Sequence, residues 1–305
     1  MPDRQALFRP DRFAHANLYV GDVERSVAFY RDVCGVKEVF REPAIKAGFL
    51  GNGATHHDIA LMQCADGPLI GRDGTVQNTM ARGRSPGLNH IAFHVATEES
   101  LIDAFGRAEK LGIKVEKALD HGMSRSLYLF DPDGNAVEFY VDIVADWRRF
   151  YDENRDSLIT SRWDPSHEPP VAAHEPLPRR DDRVPGASLQ PREICGATLI
   201  VADPQASLRF YRDVAGLELR QATSDVNLLA LPGMAEPCLA LVSAMPGERI
   251  GLHSLWFLAD PDSPALAGTA GGRTHLRDPD GLALTFHAGT AALPRHADRR
   301  DALAA

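Results

Sequence analysis

Hydrophobic and polar residues alternate along the chain in a pattern that predicts short strands and amphipathic helices. From His15, a short apolar strand leads into an acidic turn and then an amphipathic helix that ends near Gly35. The same order returns from His90, with a helix that ends near Gly112. Glycine suits a helix C-terminus because it adopts the left-handed conformation without steric cost. Short β-rich segments such as HHDIALM and SLYLF follow, so the repeating unit is predicted to be β-α-β-β-β.

The whole pattern repeats in the second half of the chain. The stretch YVGDVERSVAFYRDVCGVK (19–37) returns as IVADPQASLRFYRDVAGLE (200–218), with FYRDV shared outright. The stretch FDPDGNAVEFY (130–140) returns as RDPDGLALTFH (277–287). A repeat at this distance indicates one structural unit used several times. We therefore expect an α+β fold with four βαβββ modules, two to a domain, at 13–62, 88–141, 192–243 and 249–288.

The domain boundaries follow from these modules and from a change in composition between them. Residues 1–142 are predicted to form the first domain and residues 192–288 the second. Between them, residues 143–191 are predicted to hold a short helix and a linker, because SRWDPSHEPPVAAHEPLPRRDDRVPG is rich in proline and charge. Residues 289–305 are predicted to be a tail.

Composition narrows the classes of partner. The chain has 305 residues, 44% of them hydrophobic, and a formal net charge of -9, which indicates a globular protein without a basic face. Nucleic acid and anionic membranes are therefore not expected as partners. We find no apolar run of about 18 residues and no apolar leader at the start, so a cytoplasmic location is expected. The four cysteines lack CxxC spacing and indicate free thiols.

Two histidines and a glutamate form the candidate metal site. His15 and His90 occupy equivalent positions in the first strands of two modules, and Glu138 lies in the last strand of the second module. Pseudo-twofold packing would bring all three side chains to one face of a joint sheet. Two imidazoles and one carboxylate are typical of non-haem Fe(II) sites with open coordination positions. One glutamate leaves such a site with a single positive charge, which a chelating monoanion such as a catecholate would neutralise.

The turn DPDGN decides whether Tyr128 shares the face of Glu138. If its five residues (131–135) form the turn, Tyr128 lies directly opposite Glu138. A four-residue DPDG turn would pair Tyr128 with Val137 and send Glu138 to the other face. Glycine within the turn favours the longer loop. Alternation also places His94 on the face of His90, as a supporting or cavity-lining residue.

At these residues the sequence resembles the vicinal oxygen chelate superfamily, and within it the type I extradiol ring-cleavage dioxygenases of the catechol 2,3-dioxygenase type. The resemblance spans roughly 13–142 and 192–288 and is carried by THHDIAL, GLNHIAFHV and DHGMSRSLYLFDPDGNAVEFY. It implies that each domain is a half-open barrel built from two modules. It also implies Fe(II) as the cofactor, with Mn(II) as the alternative, an aromatic diol and O2 as substrates, and assembly into a homo-oligomer.

The resemblance assigns roles to individual residues. It makes His15, His90 and Glu138 the metal ligands. His57 corresponds to the histidine that handles protons during O2 activation, and His56 remains the alternative, because alternation does not decide which of the two points inward. By the same resemblance, His121 and Tyr128 hydrogen-bond the substrate oxygen and help to deprotonate the diol.

Three features depart from the family pattern. In the second half, Gly196, His253 and Thr285 were aligned with the three ligands, so that domain is expected to lack the metal and to serve packing or oligomer contacts. The segment 65–87 is unusually long and is either a lid or a plain exposed loop; its arginines, which would meet an anionic substituent, are Arg72, Arg82 and Arg84. His121 also lies closer to Tyr128 than the family pattern leads us to expect.

Other activities occur on the same scaffold. Glyoxalase-like isomerases and lyases and metal-dependent thiol transferases usually add a fourth protein ligand at the end of the first module, where this sequence offers only Asp58. Alternation turns Asp58 away from the face of His57. Dioxygenases that act on hydroquinones are a related alternative. A drug-binding protein without a metal would not need this set of histidines, tyrosine and glutamate.

Overall fold

The protein is built around two mixed β-sheets of nine and seven strands. The structure, a computed structural model, describes residues 6–53, 55–70, 74, 76–78, 83–155, 161–171, 182, 184–290, 293–294 and 296–304. This architecture confirms the predicted α+β class. Within the described residues, no helix is both long and apolar enough to cross a membrane.

The first sheet is formed by the first two modules and by residues that follow them. The first module consists of β1 (Pro10–Val20), α1 (Val23–Asp32), β2 (Lys37–Glu42), β3 (Ala47–Gly51) and β4 (Ile59–Gln63). A separate hairpin follows, made of β5 (Leu69–Ile70) and β6 (Val76–Asn78). The second module consists of β7 (Gly87–Val95), α2 (Glu98–Leu111), β8 (Lys117–Asp120), β9 (Ser124–Phe130) and β10 (Ala136–Asp142). After it come α3 (Trp147–Glu153) and β11 (Ser161–Arg162).

The second sheet follows this plan in the other half of the chain, except that the described part of its second module has three strands and no α-helix. Its first module consists of β12 (Pro191–Val201), α4 (Pro204–Arg209) with a π-helical turn (Phe210–Val214), β13 (Glu218–Ala222), β14 (Val226–Ala230) and β15 (Pro237–Ser243). Its second module consists of β16 (Gly251–Ala259), β17 (Arg273–Arg277) and β18 (Ala283–His287). The chain ends with α5 (Arg299–Leu303).

Strand order shows how paired modules build one curved sheet. The order is β11-β8-β9-β10-β7-β1-β4-β3-β2 in the first sheet and β13-β14-β15-β12-β16-β18-β17 in the second. In each sheet, the first strands of two modules pair antiparallel at the centre, and each pairs parallel with the last strand of its own module. The central strands of the first sheet therefore bring equivalent positions of two modules to one face.

Two parts of the second half differ from the prediction. Between β16 and β17 the described chain forms turns and one short 3-10 segment (270–272) instead of an α-helix. The sequence there, SPALAGTAGG, is rich in glycine and has no amphipathic period that would favour a helix. The residues assigned to a tail contain α5, and the Ala302 side chain is fully buried against the second sheet.

The shared FYRDV and DPDG stretches join the two halves. The Tyr30 hydroxyl in the first half donates a hydrogen bond to Asp278 Oδ2 in the second, at 3.2 Å. Reciprocally, the Tyr211 hydroxyl donates to Asp131 Oδ2 at 3.0 Å. All four residues are buried, and such hydrogen bonds to buried carboxylates are strong. Each repeated motif is therefore completed by the other half of the chain.

Candidate metal centre

A β-bulge in β1 places His15 at the inner face of the first sheet. Phe13 pairs with Phe93 and His15 pairs with Ala92, so Ala14 is an extra residue between them. Because a bulge shifts the alternation of side chains by one position, Phe13 faces the apolar core while His15 faces the cavity. Asn17 and Tyr19 follow His15 at alternate positions and also line the cavity.

The three predicted ligands meet at this face. His15 Nε2 and His90 Nε2 each lie 2.9 Å from Glu138 Oε2, and the two nitrogens are 3.4 Å apart. We call these three atoms the donor triangle. All three side chains are buried.

The size of the donor triangle fits one divalent metal ion. Imidazole nitrogen and carboxylate oxygen bind such ions at about 2.1 Å, so donors at right angles around one ion lie about 3 Å apart. The separations of 2.9, 2.9 and 3.4 Å have this size. Two nitrogens and one oxygen on one side also suit Fe(II) or Mn(II), which accept mixed imidazole and carboxylate ligands.

A second bulge orients His90 through a neighbour that alternation does not reveal. Asn17 pairs with His90 and Leu18 pairs with Leu88, so Asn89 is the extra residue of β7. His90 Nδ1 donates a hydrogen bond to Asn89 Oδ1 at 2.7 Å. This bond fixes the tautomer and leaves the Nε2 lone pair free to bind a metal, as is usual for histidine ligands.

Tyr128 and His121 continue the polar surface beside the donor triangle. Tyr128 pairs directly with Glu138 in the β9–β10 hairpin, so the five-residue turn at 131–135 is confirmed. The Tyr128 hydroxyl donates to Glu138 Oε1 at 2.8 Å and lies 3.2 Å from His121 Nε2, which donates to it. The short spacing between His121 and Tyr128 therefore still brings the two side chains together.

Both histidines of the pair at positions 56 and 57 line the cavity. The His57 ring lies 4.2 Å from the His15 ring, centroid to centroid, and its Nε2 donates to Asn17 Oδ1 at 3.2 Å. The His56 ring lies farther from His15, at 5.7 Å, and its Nδ1 donates to Asp142 Oδ1 at 2.9 Å. His57 is thus the nearer of the two to His15, and its buried Nδ1 has no hydrogen-bond partner within the part of the chain that the structure describes.

Burial and mutual contacts set the protonation states. Burial lowers the pKa of His15 to about 4 against the opposing effect of Glu138, and it lowers the pKa of His57 well below its usual value. For Glu138, burial acts to raise the pKa, but contacts with His90 and His15 outweigh it and hold the pKa well below the usual range. Burial and the Glu138 carboxylate raise the pKa of Tyr128. Neutral imidazoles beside an ionised carboxylate are the forms that ligate metals.

Two other predicted residues lie outside the centre. Of the two roles predicted for His94, lining the cavity is not found, and its Nδ1 donates to Asp11 at 2.6 Å. Asp58 is buried away from the donor triangle, where it accepts hydrogen bonds from the backbone N–H groups of Asn52 at 2.8 Å and Ile194 at 3.3 Å. The fourth ligand that some enzymes of this scaffold use is thus not supplied by Asp58. Arg84 is exposed, and the other two arginines of segment 65–87, Arg72 and Arg82, lie outside the described residues.

The cavity beside the donor triangle has a volume of about 230 Å³. His15, His90 and Glu138 line it together with His57 and Tyr128. Several apolar side chains form the rest of the cavity lining. One of them, Tyr151, was not predicted from the sequence because it lies in α3, beyond the predicted modules.

In the second half, a tryptophan occupies the corresponding place. Strand register aligns His15 with Gly196, His90 with Ser254 and Glu138 with Thr285. The sequence alignment of His253 with His90 was therefore wrong by one residue, because a bulge also interrupts β16 at His253. His253 instead donates from Nε2 to the backbone oxygen of Leu303 in α5, at 3.2 Å.

Trp256 fills the space that Ala92 leaves open in the first half. A β-carbon on Gly196 would lie 2.6 Å from the Trp256 ring, so no side chain fits there. The indole N–H donates to the Thr198 hydroxyl at 3.1 Å and contacts the Ser254 hydroxyl at 3.3 Å. These residues offer hydroxyl groups and an indole, none of which matches the donor set of the first half.

Comparison with known proteins agrees with this fold. Residues 12–139 match the model of the Glyoxalase/Bleomycin resistance protein/Dioxygenase superfamily. The superfamily resemblance predicted from the sequence is thereby confirmed.

Particular relatives are dioxygenases. The chain is 36% identical over 134 residues to biphenyl-2,3-diol 1,2-dioxygenase 3 of Rhodococcus globerulus, covering 44% of this chain and 65% of the relative. The chain thus spans just under two thirds of the length of that relative. It is 26% identical over 215 residues to catechol-2,3-dioxygenase of Bacillus subtilis, covering 70% of this chain and 68% of the relative.

Solved structures share the fold over nearly the whole chain. The 2,3-dioxygenase LapB from Pseudomonas sp. KL28 superposes with a TM-score of 0.64 and 15% identity, covering 93% of this chain and 94% of that one. The Mn(II)-bound glyoxalase from Novosphingobium aromaticivorans superposes with a TM-score of 0.61 and 15% identity, covering 91% and 82%. At these identities the similarity concerns the fold alone.

Proposed function

We propose that this protein is an extradiol dioxygenase that cleaves a catechol-type aromatic diol with O2 at a mononuclear Fe(II) site, with Mn(II) as the alternative ion. The observation that carries the proposal is the donor triangle of His15, His90 and Glu138, whose separations fit one ion. The similarity to two diol dioxygenases supports the choice of reaction.

His15, His90 and Glu138 would hold the metal ion from one side, and the diol and O2 would approach it from the cavity. When bound, the metal supplies the acidity that deprotonates a diol hydroxyl and the redox chemistry that joins O2 to the ring. The protein supplies two imidazole nitrogens and one carboxylate oxygen as ligand atoms. It also excludes bulk water, because every ligand side chain is buried.

Tyr128 and His121 are placed to hold a diol oxygen next to the metal ligands. Their hydrogen-bonded pair ends 2.8 Å from Glu138 Oε1, so a hydroxyl in the cavity reaches a donor and an acceptor there. His57, neutral because of its burial, lies beside His15, and its Nδ1 has no hydrogen-bond partner among the described residues. In our proposal it accepts and returns a proton during the reaction with O2.

The test is anaerobic reconstitution with Fe(II), followed by addition of O2 and a panel of diols. We expect oxygen consumption coupled to a coloured ring-fission product. His15→Ala should lose the metal, measured by elemental analysis. The matched control is His94→Ala, because His94 lies at the outer end of the ligand strand β7 and is paired with Asp11 away from the cavity. If no diol consumes oxygen in the iron-loaded protein, the proposal fails.

A glyoxalase-like isomerase or lyase is the runner-up on this scaffold, and a hydroquinone-type dioxygenase is another. The engagement of Asp58 with two backbone N–H groups argues against the four-ligand isomerases. Activity with Zn(II) or Ni(II) and without oxygen uptake would reverse the choice. The proposal also includes a cytoplasmic location and a homo-oligomer, the latter tested by light scattering of the purified protein.

A further inference from the structure

One side of the cavity is closed by a cluster of apolar side chains, which we call the apolar wall. Its members come from the first module, from the turn between β8 and β9, and from α3. They pack on one another and face the cavity: Ile45, Phe49, Met62, Met123 and Tyr151. Helix α3 thus packs beside β2, at one end of the first sheet, and contributes to the cavity.

Tyr151 is held firmly in this wall. Its ring stacks on Phe40 with centroids 4.7 Å apart, and Trp147 contacts it edge-on at 5.9 Å. The Arg148 guanidinium lies over the Trp147 ring at 4.1 Å and donates to the backbone oxygen of Gly53 at 3.2 Å. Helix α3 is therefore anchored to the segment that leads into the two adjacent histidines. The wall is a fixed surface against which a ligand packs.

The wall carries no charge. Lys117 contributes a positively charged side chain to the described lining of the cavity. It pairs with Tyr128 across strands β8 and β9. Lys117 is thus on the Tyr128 side of the cavity and does not belong to the apolar wall. A carboxylate pressed against the wall would lose its hydration without gaining a partner, which is strongly unfavourable.

We propose that the apolar wall makes this site selective for diols that carry an uncharged, apolar substituent, and that Tyr151 sets the size of the substituent that fits. This inference rests on the proposed function, because it concerns the substrate of the same site. A diol whose oxygens lie at the donor triangle has its ring and substituent inside a cavity of about 230 Å³. The wall forms the apolar boundary of that space.

The first experiment compares four substrates with the iron-loaded full chain: catechol and its methyl-, phenyl- and carboxyl-substituted forms. We expect kcat/KM for the methyl-substituted diol to exceed that for the carboxyl-substituted diol by at least about tenfold, because one contact in an apolar pocket has this effect. Binding is measured separately, under anaerobic conditions, by quenching of tryptophan fluorescence, since Trp147 touches Tyr151.

The second experiment changes the wall. In Tyr151→Ala, the ratio of kcat/KM for the phenyl- over the methyl-substituted diol should rise by about tenfold or more. Tyr151→Phe is the matched control, since it keeps the ring and its stacking on Phe40, and it should leave this ratio within about twofold. Thermal unfolding and iron content show whether each variant is folded and loaded.

The outcomes separate the two proposals. If no diol is bound or turned over, the proposed function itself fails. If diols are cleaved but the carboxyl-substituted form matches the methyl-substituted one, the selectivity is wrong while the function stands. If Tyr151→Ala lowers kcat/KM equally for all substrates, Tyr151 is structural and does not select among them.

Discussion

Asn89 offers a sharp test of the metal centre, because it acts on a ligand without being one. Its Oδ1 accepts the 2.7 Å hydrogen bond from His90 Nδ1, and its side chain is buried. Asn89→Leu keeps a similar volume but removes the acceptor, so the His90 ring loses both its orientation and its preferred tautomer. Loss of such a partner typically weakens metal binding about 10- to 100-fold, or about 1.4 to 2.7 kcal/mol. Asn89→Asp restores an acceptor and should restore affinity.

The assay is anaerobic competition for Fe(II) against a chelator of known affinity. Asn17→Leu is the matched control, because Asn17 is a buried asparagine of the same cavity whose Oδ1 accepts from His57 at 3.2 Å. His57 is outside the donor triangle, so this variant should bind iron within about twofold of the parent while losing turnover. Equal affinity of Asn89→Leu and the parent would refute the reasoning, as would an equal loss in both variants.

Three further predictions concern stability. The pKa of His15 is 6.5 in the unfolded chain and about 4 in the folded protein, so the unfolded chain binds more protons between these pH values. The free energy of unfolding of the metal-free protein should therefore drop as pH falls through this range, by up to about 3 kcal/mol. Urea unfolding should show a weaker pH dependence in His15→Ala, and an unchanged pH dependence would contradict the assignment. Trp256→Ala should lower the free energy of unfolding by about 3 to 5 kcal/mol, because removal of this buried ring leaves a cavity. Urea unfolding measures this loss, and the affinity for iron should stay as in the parent. Tyr211→Phe and Tyr30→Phe should each cost about 1.5 to 3 kcal/mol, and thermal unfolding without any loss would show that the hydrogen bonds between the halves contribute little.

Much of the site could be predicted because its geometry follows from visible periods. The repeat placed His15 and His90 at equivalent positions, and the length of the DPDGN turn set Tyr128 opposite Glu138. Both inferences use the alternation of side chains between the two faces of a strand, which holds wherever the strand pairing has no bulge.

The rest depends on features that have no clear signal in a single sequence. Bulges at Ala14 and Asn89 shift alternation, so the partner of His90 was missed. His56 and His57 lie before β4 begins, where alternation does not apply, and both side chains reach the cavity. Tyr151 reaches it from a helix outside the modules, through tertiary packing alone.

The exchange of tyrosine hydroxyls and aspartates between the two sheets has a consequence for any attempt to isolate the metal-bearing half. A fragment that stops before β12 would keep the three predicted ligands but lose the phenol that donates one of the hydrogen bonds to Asp131, and it would also lose the Ile194 amide that donates to Asp58. Both carboxylates would then face water at a newly exposed apolar surface. The carboxyl-terminal half, though it lacks the donor set, is thus expected to contribute to the folding of the half that carries His15, His90 and Glu138.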